Sequence, residues 1–188
     1  MRVERAGDVV RQVGTADDWN GVVWSAPDLD PVQADAAIAA QVAHYTALGH
    51  DAFAWKLYAH DRPADLAERL LAAGFEAEEP ETLLVAPVDG LSTTVDLPEG
   101  IRLRTMRDAD DVLHPGSGLA GLWGGGKVPA WRGKGIYRAL AAHRARIAAE
   151  RGYRYLQVDA SDQSRPVLQR LGFLALSTTT PYEYRPSR

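Results

Sequence analysis

The sequence contains no cysteine. This absence excludes a disulfide framework, a zinc site with thiolate ligands and a cysteine nucleophile. A chain of 188 residues is nevertheless long enough to bury a core, either as one domain or as two small ones. We therefore predict a globular protein that needs neither a disulfide nor a metal site.

Long apolar runs are also missing. Residues 1–14 are charged and lack the roughly 7 to 15 apolar residues of a signal peptide, and no run approaches the ~20 residues of a membrane span. The net charge of -4 argues against a broad nucleic-acid surface, whereas the locally basic stretch 132–154 suits a small anionic ligand. We expect a cytoplasmic monomer or homodimer without membrane or nucleic-acid partners.

What the sequence does contain is an internal repeat. It is anchored on Gly49 and Gly152, which are 103 residues apart and each end a predicted helix. An apolar strand follows in each copy, over residues 53–58 and 155–158. An Arg-Pro pair then stands thirteen residues after each glycine, at the start of a second helix, where proline's missing N–H has no helical partner to lose.

The second half of the repeat is equally regular. The helices 64–71 and 167–171 are predicted to stop at Gly74-Phe75 and Gly172-Phe173, where glycine takes a left-handed conformation and phenylalanine packs on the sheet. Strands 82–85 and 178–184 follow. We predict an α/β protein with an N-terminal half over residues 1–90, a linker over 91–100 and a C-terminal half over 101–188.

A glycine-containing loop precedes the second long helix, which is predicted over residues 136–151. Gly133 and Gly135 allow backbone amides to converge, and the helix start adds free N–H groups with a positive dipole end. This arrangement attracts phosphate, and Arg132 or Lys134 can supply countercharge.

One stripe of that helix, formed by Ile136, Leu140, His143 and Ile147, has helical spacing and is predicted to face a core, with His143 in a structural role. The arginines off the stripe are expected to form a solvated face. They are Arg138, Arg144, Arg146 and Arg151.

The segment from Val128-Pro129 through Arg132-Gly133-Lys134-Gly135 to Ile136 resembles the acetyl-CoA motif of the GNAT superfamily of N-acetyltransferases. The resemblance is clearest over residues 115–175, and Tyr137 departs from it by replacing a small residue. It implies a mixed, mostly antiparallel sheet flanked by helices. It also implies acetyl-CoA as co-substrate, held by Gly126, Val128, Arg132, Gly133, Lys134, Gly135, Ile136 and Tyr137.

The same resemblance extends to the first repeat, but there the counterpart of the loop is residues 29–34. This segment has no glycine, no basic residue and one carboxylate, Asp30. The N-terminal half is therefore expected to be a degenerate, structural copy that binds no CoA.

The resemblance also implies direct attack of a primary amine, from a small molecule or a peptide, on the acetyl group. The pantetheine arm would lie in a gap between two strands, and the glycines 124–126 suit a bulged strand there. Many members protonate the leaving thiolate with a tyrosine where this chain has Leu168. Leu168 cannot donate a proton, and the candidate catalytic group of this chain is Asp159, which could act as a base. Ser161, Tyr182 and Tyr184 are also expected near the gap.

Two other functions are compatible with the sequence. With Leu168 at the acid position, the chain can be a non-catalytic sensor or regulatory protein that binds acyl-CoA. A more remote reading is a nucleotide hydrolase, since Gly121, Gly126 and Lys127 lie one residue short of P-loop spacing. Val128 argues against it, because a P-loop needs Ser or Thr there to hold magnesium.

The second half departs from the family pattern in length. A first strand is predicted over residues 101–105, and only residues 106–118 separate it from the strand before the loop. A segment of this length cannot form two helices and two strands. We therefore expect residues missing between about Val112 and His114, since loss of central strands would expose sheet edges.

Overall fold

A computed structural model describes residues 2–102, 118–122 and 133–186 of the chain. These residues form two compact units. The first consists of Met1–Pro80 with Ser177–Arg188, and the second of Glu81–Leu176. The units therefore divide the chain differently from the predicted halves 1–90 and 101–188, because the last strand of each half belongs to the other unit.

The first unit is an α/β layer. Its elements are β1 (Arg2–Ala6), β2 (Val9–Val13), β3 (Gly21–Ser25), α1 (Pro31–Ala47), β4 (Phe53–Tyr58), α2 (Leu66–Ala72), β5 (Glu76–Ala77) and most of β9 (Leu174–Tyr184). The strand order is β1-β2-β3-β4-β9, with β5 also paired to β9. Only the contact between β3 and β4 is parallel.

An aromatic core joins the helices of this unit to its sheet. Trp55 is fully buried on β4, and the ring of Phe53 stacks on that of Tyr45 from α1 with centroids 4.4 Å apart. Phe75 meets the Phe53 ring edge-on at 5.4 Å. Such stacked and edge-to-face pairs add to the free energy of burial and hold α1 and α2 against β4.

The second unit contains β6 (Glu81–Pro87), a short 3₁₀ turn (Val88–Gly90), β7 (Leu119–Gly121), α3 (Ile136–Glu150), β8 (Tyr155–Ala160) and α4 (Arg165–Arg170). Here β8 pairs antiparallel with β6 and parallel with β7. Both units thus contain helices, and the described strand pairs taken together are mostly antiparallel, which confirms the predicted fold class. No helix among the described residues is both long and apolar enough to cross a membrane.

The helix ends predicted at Gly74-Phe75 and Gly172-Phe173 are confirmed. Gly74 and Gly172 have φ values of 92° and 105°, in the left-handed region that favours glycine. The following amides, of Phe75 and Phe173, each donate to a helix carbonyl five residues earlier at 3.1 Å. Both phenylalanines are almost completely buried, so each cap fixes an aromatic anchor in its core.

The prediction for the buried face of α3 is wrong. Its fully buried side chains are alanines spaced three apart: Ala139, Ala142, Ala145 and Ala148. The predicted stripe of Ile136, Leu140, His143 and Ile147 is only half-buried. The small side chain of alanine lets the helix backbone approach the sheet closely, and that contact selects the buried face.

The last strand of each predicted half pairs with a strand of the other predicted half. Trp55 of β4 pairs with Tyr182 of β9, and Val158 of β8 pairs with Leu84 of β6. Trp55 and Val158 are separated by the same 103 residues as the repeat glycines, while Leu84 and Tyr182 share the 98-residue spacing of the Gly-Phe pairs. The two ladders therefore have the same register, with each copy supplying the other's strand.

A capping box fixes the start of α1. The Asp30 carboxylate accepts hydrogen bonds from the amides of Val32 and Gln33 at 2.8 and 2.9 Å. The Gln33 side chain in turn accepts from the Asp30 amide at 3.0 Å. Pro31 occupies the first helical position, where its missing N–H costs nothing. The donors at this helix start are thus satisfied within the chain.

The exchange predicts that the halves fold only together. Fragments 1–95 and 96–188 each lack a strand of their own sheet, and an unpaired edge in a small sheet is unfavourable. We expect neither fragment to unfold cooperatively alone, and co-expression to restore one complex with native circular dichroism. A cooperative thermal transition of fragment 1–95 as an isolated monomer would contradict the need for exchange.

The capping box predicts the effect of Asp30→Ala. Removing the carboxylate leaves two amides of α1 without their partner, so the free energy of unfolding should fall by about 1 kcal/mol. Urea denaturation followed by tryptophan fluorescence measures this change. Asp28→Ala, at a neighbouring exposed loop position, is the control. Equal stability of the two variants would argue against the cap.

Candidate functional site

The amino terminus of α3 differs from that of α1 at the level of the backbone. Gly133 and Gly135 both have φ of 76°, and Gly135 is the residue immediately before the helix. The Gly135 carbonyl already accepts the helical hydrogen bond of the Ala139 amide at 3.0 Å. No side chain among the described residues caps this helix in the way that Asp30 caps α1. The first turn therefore directs amides toward the exposed loop.

Space is open beside these glycines. A Cβ atom added at Gly133 would meet nothing within 4 Å, and one at Gly135 would meet only the end of the Arg138 side chain at 3.6 Å. Lys134 between them is exposed and brings a positive charge. Backbone donors, a helix dipole and a cation thus converge on one surface, which is the arrangement that binds an anionic group such as phosphate.

Three predicted donor-binding residues, Gly126, Val128 and Arg132, lie outside the described residues, as do the glycines 124–126 of the predicted bulged strand. The described part of the predicted set is Gly133, Lys134, Gly135, Ile136 and Tyr137. These five are consecutive and occupy the loop and the first turn of α3. The segment 106–118 also lies almost wholly outside the description, so the expectation of missing residues there stays a prediction.

A cavity of about 230 Å³ lies in the second unit, beside α3 and at the carboxyl end of β8. The parallel strand β7 ends nearby, and the Leu122 amide continues its pairing to the Gln157 carbonyl at 2.8 Å. In open α/β sheets, ligands bind at the carboxyl ends of parallel strands. The lining residues are Glu81, Leu122, Tyr137, Leu140, Ala141, Arg144, Val158, Asp159, Ser161, Ser164 and Leu168.

The cavity brings one cation and two carboxylates together. Arg144 reaches it from α3, whereas Glu81 opens β6 and Asp159 is the penultimate residue of β8. Burial lowers the pKa of Arg144, although an arginine stays charged at any physiological pH. The prediction that Arg144 belongs to a solvated face is therefore wrong, because the face of α3 that carries it lines a cavity.

Tyr137 is the aromatic hydroxyl of this cavity. Burial raises its pKa, while a hydrogen bond with Ser164 and the positive charge of Arg144 oppose the increase. Its ring also packs against the core of the second unit. The hydroxyl is thus held at the cavity and protonated at neutral pH.

Leu168 and Asp159, which the sequence singled out, both line the cavity. Leu168 is fully buried and offers an apolar wall where a proton donor was expected from the family pattern. Asp159 is partly buried, with its Oδ1 atom inaccessible to water. Ser161 lines the same cavity, so the structure brings together three of the residues that the sequence singled out: Asp159, Ser161 and Leu168.

The other two candidates, Tyr182 and Tyr184, belong to the first unit. Tyr182 is buried in its core, and the Tyr184 ring lies 5.1 Å from Phe75 and 5.5 Å from Phe53. Both therefore have a packing role in that unit. The sequence missed Arg144 and Ser164 as cavity residues, although Arg144 stands seven residues after Tyr137, two helical turns along the same face.

No protein-family model matches the sequence, and no curated protein resembles it significantly. Solved structures do resemble it in fold. A GCN5-related N-acetyltransferase from Kribbella flavida aligns with a TM-score of 0.71 at 17% identity, over 100% of this chain and 90% of its own. One from Sphaerobacter thermophilus aligns at 0.59 and 14%, over 96% and 78%.

A tandem GNAT protein from the clavulanic acid biosynthesis pathway aligns with a TM-score of 0.52 at 12% identity, over 98% of this chain and 82% of its own. At these identities the likeness concerns the fold. This chain has the fold of the GCN5-related N-acetyltransferases.

Proposed function

We propose that this protein is an N-acetyltransferase that transfers the acetyl group of acetyl-CoA to a primary amine by direct attack. The observation that carries the proposal is the contrast between the two long helices. The first turn of α1 is closed by the Asp30 carboxylate, whereas α3 begins after the left-handed Gly133 and Gly135 beside the exposed Lys134. Of the two long helices among the described residues, α3 therefore offers an anion site at its start and α1 does not.

The donor would be held through its diphosphate. The amides of Ile136 and Tyr137, at the start of α3, would donate to phosphate oxygens, and Lys134 would neutralise part of their charge. Gly133 and Gly135 fit such a group, because side chains there would be strained at these φ values and would narrow the approach. The resemblance of the sequence to the acetyl-CoA motif adds Gly126, Val128 and Arg132 to the proposed donor site.

The cavity beside α3 suits the transfer itself. A volume of about 230 Å³ accommodates an acetyl group and a small part of an amine, but not a whole nucleotide. Its two carboxylates, Glu81 and Asp159, favour a cationic amine over a neutral or anionic acceptor. Asp159 would accept the proton that the amine must lose before it attacks, directly or through water. The acceptor is a small-molecule or peptide amine.

The first unit would have a structural role. The strand that completes the sheet beside β8 comes from the first repeat, and the aromatic core of the first unit holds the reciprocal strand β9. One donor site per chain follows, because Asp30 already uses the helix-start amides that a phosphate would need.

A second candidate function is favoured by one observation. Leu168 presents an apolar side chain to the cavity at the position where the family pattern has a proton donor. A protein that binds acyl-CoA as a sensor, without transferring the acyl group, would tolerate this residue. The enzyme and the sensor would both bind the acyl-CoA donor, but only the enzyme would transfer the acyl group to an amine.

Gly135→Asp tests donor binding. The substitution places a carboxylate at the start of α3, as in α1, where it would cap the amides and repel phosphate. Calorimetric titration with acetyl-CoA should show one site per chain in the wild type and a dissociation constant raised about tenfold or more in the variant. Gly152→Asp is the matched control, because it has φ of 75° and open space at the other end of α3.

Wild-type binding with a selective loss in Gly135→Asp supports the donor site. No acetyl-CoA binding by the wild type, or equal losses in both variants, would contradict it. Release of free thiol from acetyl-CoA across a panel of primary amines then distinguishes the enzyme from the sensor. Binding without thiol release for every amine would favour the sensor.

A further inference from the structure

The hydroxyl of Tyr137 is held in the cavity from both sides. Its ring packs on the core of the second unit, and its hydroxyl bonds with Ser164, the residue that precedes α4. Ser164 is itself fixed, since its Oγ lies 3.2 Å from both the Oγ and the carbonyl oxygen of Ser161. These contacts hold the hydroxyl oxygen of Tyr137 in place at the cavity.

The groups that face this hydroxyl are charged. Arg144 comes from α3, Asp159 from β8 and Glu81 from β6, and all three line the same cavity. The guanidinium favours negative charge near Tyr137, whereas the two carboxylates favour positive charge. A proton donor, a cation and a proton acceptor are thus present within one small space.

Acetyl transfer in this cavity requires two proton transfers, one from the amine and one to the sulfur. The amine nitrogen forms a bond to the carbonyl carbon and loses a proton, while the carbon–sulfur bond breaks and the sulfur keeps the electron pair. That sulfur must gain a proton to leave as a thiol. Asp159 is assigned to the proton of the amine, so a second group is needed to donate to the sulfur as its negative charge develops. Leu168 has no proton to give, and the serine hydroxyls are much weaker acids than a phenol.

We propose that Tyr137 is the hydrogen-bond and proton donor to the departing sulfur, with Ser164 orienting its hydroxyl and Arg144 stabilising the negative charge that develops there. A cationic amine loses two protons: the first passes through Asp159 to solvent before the attack, and the second, lost as the amide forms, returns through Asp159 and water to Tyr137, which has protonated the sulfur. The inference rests on the proposed function and names the acid of that same site.

The pH dependence follows from the direction of the shift. Burial raises the pKa of Tyr137 above its ordinary value, so the folded protein keeps the proton throughout the neutral range. A required acid is lost as the pH rises through its pKa. Tyr137 should therefore cause no fall in kcat below about pH 10, and any earlier fall must come from another group.

Tyr137→Phe tests the inference, because it keeps the ring that packs on the core and removes only the hydroxyl. We expect kcat for acetyl transfer to fall about a hundredfold, with the KM for acetyl-CoA little changed. Tyr155→Phe is the matched control, since Tyr155 is exposed on β8 and outside the cavity. Its kcat should equal that of the wild type.

A binding measurement adds a readout that does not depend on turnover. Calorimetry with CoA and with desulfo-CoA, which lacks the sulfur, measures the contact with the thiol. The wild type should bind CoA several-fold more tightly than desulfo-CoA, and Tyr137→Phe should lose this preference. Ser164→Ala should reduce both kcat and the preference by a smaller factor.

The experiments distinguish failure of the proposed acetyltransferase function from failure of the role assigned to Tyr137. If the wild type neither binds acetyl-CoA nor transfers its acetyl group, the proposed function is wrong and this inference falls with it. If the wild type is active and Tyr137→Phe keeps its kcat, or keeps the preference for CoA over desulfo-CoA, only the assignment of Tyr137 is overturned.

Discussion

The amides at the start of an α-helix have no carbonyl partner within the helix, and this constraint determines where the chain can bind a ligand. In α1 the chain satisfies them itself through Asp30 and Gln33. In α3 two left-handed glycines lead into the helix, and no side chain among the described residues caps its first turn. The two long helices thus differ at their starts, because Asp30 caps α1 whereas the left-handed Gly135 precedes α3.

Each predicted half supplies a strand to the sheet of the other. β8 carries Asp159 into the cavity and needs an antiparallel neighbour, which is β6 from the first repeat. β4 in turn is paired by β9 from the second. Because the register of the two ladders is the same, loss of one repeat would remove a strand from the sheet that positions the other. The stability of the site therefore depends on residues that are distant from it in sequence.

The sequence predicts the local features well because they follow from local backbone chemistry. The helix ends at Gly74 and Gly172 and the strands after them are as expected. β6 and β9 have similar strand patterns and are far apart in the sequence. Periodicity alone therefore cannot show which of them pairs with β4 and which with β8. The buried face of α3 consists of alanines, which a pattern of large apolar side chains at helical spacing does not select, and the helix also carries Arg144 and Tyr137 to the cavity. The hairpin of β1 and β2 was missed, although its alternating residues and Gly7 are a signal for it.

The claim on which the rest depends is that α3, and not α1, receives the donor phosphates. Amide chemical shifts in a ¹⁵N-labelled protein report it residue by residue as CoA is added. The account predicts saturable shifts for the amides of Gly133 to Tyr137, and none for those of Val32 and Gln33. Shifts at the start of α1, or an unperturbed α3 at saturating CoA, would contradict it.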